Sequence, residues 1–180
     1  MKDWNVVVTV NDRIARYRAQ RGLKQFGNVE TTAFHNVIVM QVAEVRAFMA
    51  ALADLMSRDM TLLNDVSRLM PAQATFDFDT REEFEAKASA IILGWAERLA
   101  GKTFHIRLHR RGMGDKLSSL SEEKLLDTAL LNRLAEMGHP GRIAFADPDF
   151  VIDIETVTDR AGLSIWEREE LRRYHFLRVD

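Results

Sequence analysis

The chain has 180 residues, a formal net charge of −2, 47% hydrophobic and 29% charged residues, and no cysteine. That length suits one domain or two small ones, and the balance is that of a globular chain. The missing cysteines exclude disulfides and thiolate zinc sites and fit a reducing cytoplasm, while the near-neutral charge means that an anionic partner needs a local patch.

The N-terminus, MKDWNVVVTVND, has an apolar run too short for a signal peptide or a membrane span, so no membrane association is expected. Trp4 to Val10 is β-branched and reads as a strand. Asn11 and Asp12 can cap a helix that begins with Ile14, Ala15 and Tyr17 and fades near Gly22. Asn28 to Phe34 and Val37 to Val42 read as two strands joined through His35 and Asn36. Val45, Phe48, Met49, Leu52, Leu55 and Met56 fall at helical spacing. Val66 to Phe78 is extended again, with Pro71 limiting central pairing. This β-α-β-β-α-β order is that of a ferredoxin-like unit over residues 1–79.

A second unit is expected over 80–180. Thr80 and Glu83 have capping-box spacing, and Phe84, Ala88, Ile91, Trp95 and Leu99 form the apolar stripe of the helix behind them. TFHIRLHRRG, from Thr103 to Gly112, alternates Phe104, Ile106 and Leu108 with His105, Arg107 and His109. It predicts a strand with a core face and a solvated polar face. Ser119 and Glu122 match a second capping box, before a helix lined by Leu126, Leu130, Leu134 and Met137. Arg142 to Phe145 fits a short strand, Asp147-Pro148-Asp149 a turn, and Phe150 to Glu155 a half-buried strand. A short apolar run, Leu163 to Trp166, precedes a charged helix over Glu167 to Tyr174 and a final strand from His175 to Val179.

His105 and His109, four residues apart on a strand, lie about 13 Å apart and cannot share one metal ion. Asp147, Asp149, Asp153 and Glu155 form an acidic cluster. No nucleophile, third ligand or phosphate-cradling glycine loop accompanies it, which favours a turn and a solvated strand face over a hydrolase site. No cofactor motif is present. Arg168, Arg172 and Arg173 alternate with Glu167, Glu169 and Glu170 and are expected to pair with them. The strongest signal is cationic. Lys102, Arg107, Arg110, Arg111 and Lys116 accompany only Asp115 as an acid, and arginine forks at a glycine-containing loop suit phosphate.

TFHIRLHRRG, the capped helix after it, DPDFVIDIETVTDRAGLSI and the terminal HFLRVD together resemble the THUMP domain of tRNA-modifying systems. The layout is similar to the adaptor that assists tRNA cytidine acetylation in eukaryotes. The resemblance implies an α+β fold, a ferredoxin-like βαββαβ unit followed by a THUMP-like domain, binding tRNA by shape near the acceptor stem and 3′ end. Arg107, Arg110 and Arg111 match the family's basic strand end, and Pro148 and Asp149 its turn. No methyltransferase, sulfurtransferase or synthase domain accompanies these units in the sequence. The expectation is therefore a cytoplasmic, non-catalytic tRNA-binding accessory protein without cofactor or metal, serving a separate tRNA-modifying enzyme. Its expected RNA contacts are Lys102, Arg107, His109, Arg110, Arg111 and Lys116. The rival, favoured by the slightly acidic balance, is a protein-interaction module with no RNA function.

Overall fold

The computed structural model describes residues 2–179, with Leu63 described by its backbone. Met1 of the expected first unit and Asp180 of the HFLRVD stretch lie outside the described residues.

The first unit contains β1 (Val6–Val10), α1 (Arg13–Leu23), β2 (Asn28–Thr31), β3 (Val37–Gln41), α2 (Val45–Arg58), a short α3 (Thr61–Asp65) and β4 (Val66–Pro71). Its sheet has the order β2-β3-β1-β4, with β1 antiparallel to both β3 and β4. Each helical crossover skips one strand, which is the split βαβ arrangement expected of a ferredoxin-like unit. Val6, Val7 and Val8 are all buried, which explains the unbroken valine run in a central strand. The Asp12 carboxylate starts α1 by accepting the Ala15 N–H at 2.7 Å. Pro71 closes β4, an edge strand that pairs only with β1, so its missing N–H costs the sheet nothing.

The second unit contains β5 (Ala74–Asp77), α4 (Arg81–Gly94), α5 (Ala96–Leu99), β6 (Thr103–Arg111), α6 (Ser119–Glu136), β7 (Arg142–Ile143), β8 (Phe150–Val157) and β9 (Arg160–Glu167); α7 (Arg168–Arg173) follows. The sheet order is β5-β9-β8-β6-β7, with β6 parallel to β7 and β8 and the other pairs antiparallel. The division of the chain falls between Gln73 and Ala74 rather than before Thr80, because β5 pairs with β9 from Ala74↔Leu163 to Asp77↔Arg160. Phe84, Ala88 and Ile92 of α4 and Leu126, Leu130 and Leu134 of α6 share one core with the inward faces of β6, β8 and β9.

Leu171–Arg178 groups with the first unit. The expected final strand is absent there. Phe176 gives its carbonyl to the Leu69 N–H at 3.2 Å, but the chain turns at once, Leu177 N–H donating to the Tyr174 carbonyl at 2.9 Å. The Arg68 guanidinium also donates to the Arg178 carbonyl, and with the buried Tyr174, Phe176 and Leu177 these bonds hold the segment without a ladder.

Of the two expected caps, that of α4 forms and that of α6 does not. The Thr80 hydroxyl does accept the Glu83 N–H, at 3.2 Å, and Glu83 in turn accepts from Asp79 N–H at 2.8 Å. In α6, however, Ser118 is the cap residue and no hydroxyl caps the helix. Glu122 is wholly buried and its carboxyl faces the Arg81 guanidinium at 3.1 Å. Burial first, then a hydrogen bond with Glu85, raises its proton affinity. Among the described residues, no helix is long and apolar enough to cross a membrane.

Candidate nucleic-acid interface

Phe104, Ile106 and Leu108 enter the core as their alternation predicts. The opposite face of β6 is not solvated along its length. His105 is 6% exposed, and the facing carboxyls of β8, Asp153 and Glu155, are 1% and 3% exposed. A strand flanked by β8 along its whole length sits inside the sheet, so its polar side chains have to find partners there.

The pairing divides the expected contact residues. His109 Nε2 lies 3.7 Å from an Asp153 carboxylate oxygen, and the Arg111 guanidinium is bonded to Glu155. The Arg111 guanidinium thus balances one buried acid of β8, and the His109 ring sits against the other. The acidic cluster is accounted for in the same way at its other end. Arg168 pairs with Asp147 at 3.0 Å and with Asp149 at 3.2 Å, rather than with the glutamates beside it in sequence. Asp149 also accepts the Thr103 N–H and hydroxyl, both at 2.9 Å. The Thr103 bonds, and then Arg168, hold the Asp149 carboxyl below the ordinary range. Asp149→Ala is expected to cost about 1–2 kcal/mol by stranding the start of β6, as read from a denaturant midpoint at neutral pH.

Arg110 and Lys116 behave differently. Arg110 Nη1 donates to the Gly112 carbonyl at 2.9 Å, and Lys116 Nζ donates to the Asp79 carbonyl at 3.1 Å. A carbonyl positions a cation without cancelling its charge, and both residues are exposed. The loop between them depends on backbone freedom. Gly112 has φ 85° and Met113 φ 54°, and a Cβ on Gly114 would lie 2.7 Å from Arg110 Nη1. Lys102 is exposed too, but it stands before the other end of β6, about 26 Å from Arg110 at the usual strand rise. Arg142 is next to it, its N–H donating to the Lys102 carbonyl at 3.1 Å.

Arg107 occupies the middle of the strand. Its guanidinium lies 6.0 Å from the centroid of the Phe145 ring, and His105 stacks on the same ring at 5.7 Å. Phe145 is nevertheless 69% exposed. A large aromatic ring held by a cation and left open to solvent is a platform for another flat group. Sequence reading missed it, taking Phe145 as the end of a short strand. The available signal was a lone aromatic next to the Asp147-Pro148 turn, where no core position is expected. From Arg107 to Arg110 is about 10 Å of extended chain, and the two-residue alternation of β6 sends the Arg110 side chain to the face opposite Arg107, so the platform and the exposed cations are two separate features of one strand.

The open edge of β6 is closed by α6. β7 pairs only with Thr103 and Phe104, leaving the N–H groups beyond them without a strand. Leu108 N–H donates to Glu123 Oε1 at 2.8 Å, and Ile106 N–H donates to Asp127. Two carboxylates one helical turn apart thus stand in for a neighbouring strand. Burial, followed by the charge of Glu123, pushes the Asp127 carboxyl up to about 6, against the Ile106 bond.

No protein-family model matches this sequence, and no curated protein matches it. Solved structures share its fold. PH1313 from Pyrococcus horikoshii Ot3 superposes with a TM-score of 0.63 at 13% identity, over 90% of this chain and 54% of its own. TrmN from Thermus thermophilus gives 0.59 at 16% identity, over 89% and 44%. A 4-thiouridine synthetase, solved in complex with RNA and with bound ATP, gives 0.52 at 13% identity, over 91% and 42%. The chain spans about half the length of the structures it matches. At such identity the likeness is one of fold. It agrees with the α+β class expected from the sequence, a ferredoxin-like unit followed by a THUMP-like unit.

Proposed function

We propose that this chain is a non-catalytic tRNA-binding accessory protein of the cytoplasm. It takes hold of tRNA by shape near the acceptor stem and 3′ end and presents it to a separate modifying enzyme, an acetyltransferase being one candidate. The observation that carries this reading is that β6 bears both an aromatic platform and exposed cations, on its two faces. An exposed Phe145 ring backed by Arg107 is followed at the strand exit by Arg110 and Lys116, which form no ion pair among the described residues. Phosphates suit the two cations, and an unpaired base suits the ring. The RNA complex of the structurally similar 4-thiouridine synthetase supports the same class of ligand. The absence of chemistry is supported by the fate of the acids, since those of the DPDFVIDIE stretch are engaged with Thr103, His109, Arg111 and Arg168.

Fluorescence anisotropy with two RNA hairpins, one blunt and one carrying an unpaired 3′ tail, tests the proposal. Phe145→Ala is expected to weaken binding of the tailed hairpin by about tenfold, the worth of one stacked base, and to leave the blunt hairpin unaffected. Arg110→Glu with Lys116→Glu is expected to weaken both and to reduce the log–log salt slope by about 1–2. No binding of either hairpin at low salt would reject the reading. Incubating the chain with tRNA and acetyl-CoA, S-adenosylmethionine or ATP should yield no new nucleoside by mass spectrometry. One that forms would end the accessory role.

The rival reading, a protein-interaction module, is favoured by an apolar hollow of about 240 Å³ in the first unit, lined by Ala53, Met56, Met60, Tyr174 and Phe176 among others. It stands if RNA binding is absent.

A further inference from the structure

We infer that the outward face of α1 is a second RNA surface, gripping the phosphate backbone of a duplex and distinct in its residues from the β6 site. The inference rests on the RNA-binding reading above and adds a contact that reading does not contain. From Arg13 to Val29 the sequence holds five cations, Arg13, Arg16, Arg18, Arg21 and Lys24, and no acid. The other 20 Lys and Arg share the chain with 27 Asp and Glu, so the net charge of −2 conceals a strongly basic segment.

The fold turns that segment into one face. Ala15, Ala19 and Leu23 are at most 1% exposed and lie against the sheet, the two alanines letting the helix approach closely. At about 100° per residue, Arg13, Tyr17, Arg21 and Lys24 then fall within about 80° of one another on the outer side, with Arg16 on one flank and Ile14 on the other. Arg18 at the margin is used internally, its Nε donating to Asp65 at 2.9 Å. Arg13, Arg16, Arg21 and Lys24 form no ion pair among the described residues. Tyr17 is 71% exposed in their midst.

Charge complementarity selects the occupant. Arg13 to Lys24 spans about 16 Å of helix, a length over which a double helix presents several phosphates. Three arginine forks and a lysine, with an aromatic hydroxyl between them, are phosphate and sugar ligands. A lipid surface requires a helix with its apolar face turned outward, whereas the apolar face of α1 is already buried, leaving only Ile14 and Tyr17 exposed.

The test is a full-length variant with Arg13, Arg16, Arg21 and Lys24 each changed to Gln, measured on the blunt hairpin across a salt series. Gln keeps helix propensity and removes charge. Binding at low salt is expected to weaken by about tenfold or more and the salt slope to shrink by about 2–3. A companion variant with Arg13, Arg16 and Arg21 changed to Lys should keep the slope, which separates charge loss from unfolding. If the wild-type chain binds the hairpin and the Gln variant, folded by circular dichroism, binds with equal affinity and slope, the α1 surface is overturned and the β6 reading survives. If the wild-type chain does not bind, both fall. Loss of binding to phosphatidylserine vesicles in the Gln variant, with hairpin binding unchanged, overturns the RNA assignment in favour of a lipid one.

Discussion

Arg111→Ala is expected to lower the unfolding free energy by about 3–5 kcal/mol, although the sequence presents Arg111 as half of a surface Arg-Arg pair. Its partner Glu155 is 3% exposed on β8, and removing the guanidinium leaves a carboxylate in the sheet interior. The hydrophobic replacement of both residues together should restore much of the loss, since the penalty is that of an unbalanced buried charge and not of a missing attraction. Arg110→Ala is the control. Arg110 is exposed and, among the described residues, bonded only to the Gly112 carbonyl, so its loss should stay within about 0.5 kcal/mol. Urea unfolding of the three variants at pH 7 measures all of this. Equal stability of Arg111→Ala and Arg110→Ala would show that Glu155 has another counter-charge. The same difference governs the RNA experiments: weaker binding by an Arg111 variant reports damaged folding unless the fold is checked first.

Asp127→Asn is expected to flatten the acid side of the stability profile. The Asp127 carboxyl is pushed up to about 6 in the folded chain, above its value in an unfolded one. Between about pH 4 and 6 the native state therefore holds a proton that the unfolded state has released, so stability falls as pH rises through this window. The contribution is fullest below about pH 4 and gone above about 6, and two pKa units correspond to roughly 3 kcal/mol. Asn still offers an oxygen to the Ile106 N–H without the buried charge. The variant should therefore be the more stable at pH 8 and lose its advantage towards pH 4. Denaturation at pH 4.5, 6 and 8 gives the answer. Parallel profiles for the two proteins would mean that Asp127 is solvated in the folded chain. Glu122, shifted in the same direction by burial, adds a tilt of the same sign that the substitution leaves in place.

The alternation of TFHIRLHRRG, the valines of β1 and the Thr80–Glu83 cap were legible because each is a local rule. A side chain's face follows from a period of two or 3.6, and a cap bond spans three residues. Those rules were enough for the α+β class and the ferredoxin-like order. They also marked the cationic strand exit. What Arg111, His109 and Arg168 do was not legible, because their partners lie 44, 44 and 19 to 21 positions away. The sequence shows charges but not which of them the sheet will bring together. Only the parallel pairing of β6 with β8 turned Asp153 and Glu155 inward and left Arg110 and Lys116 with uncancelled charge. In α1 the case is intermediate: five cations without an acid could be counted along the chain, but burial of Ala15, Ala19 and Leu23 decided that most of them share one open face. Local spacing determined the elements; pairing across the sheet, where desolvation forces each buried charge onto a partner, decided which cations remain for a ligand.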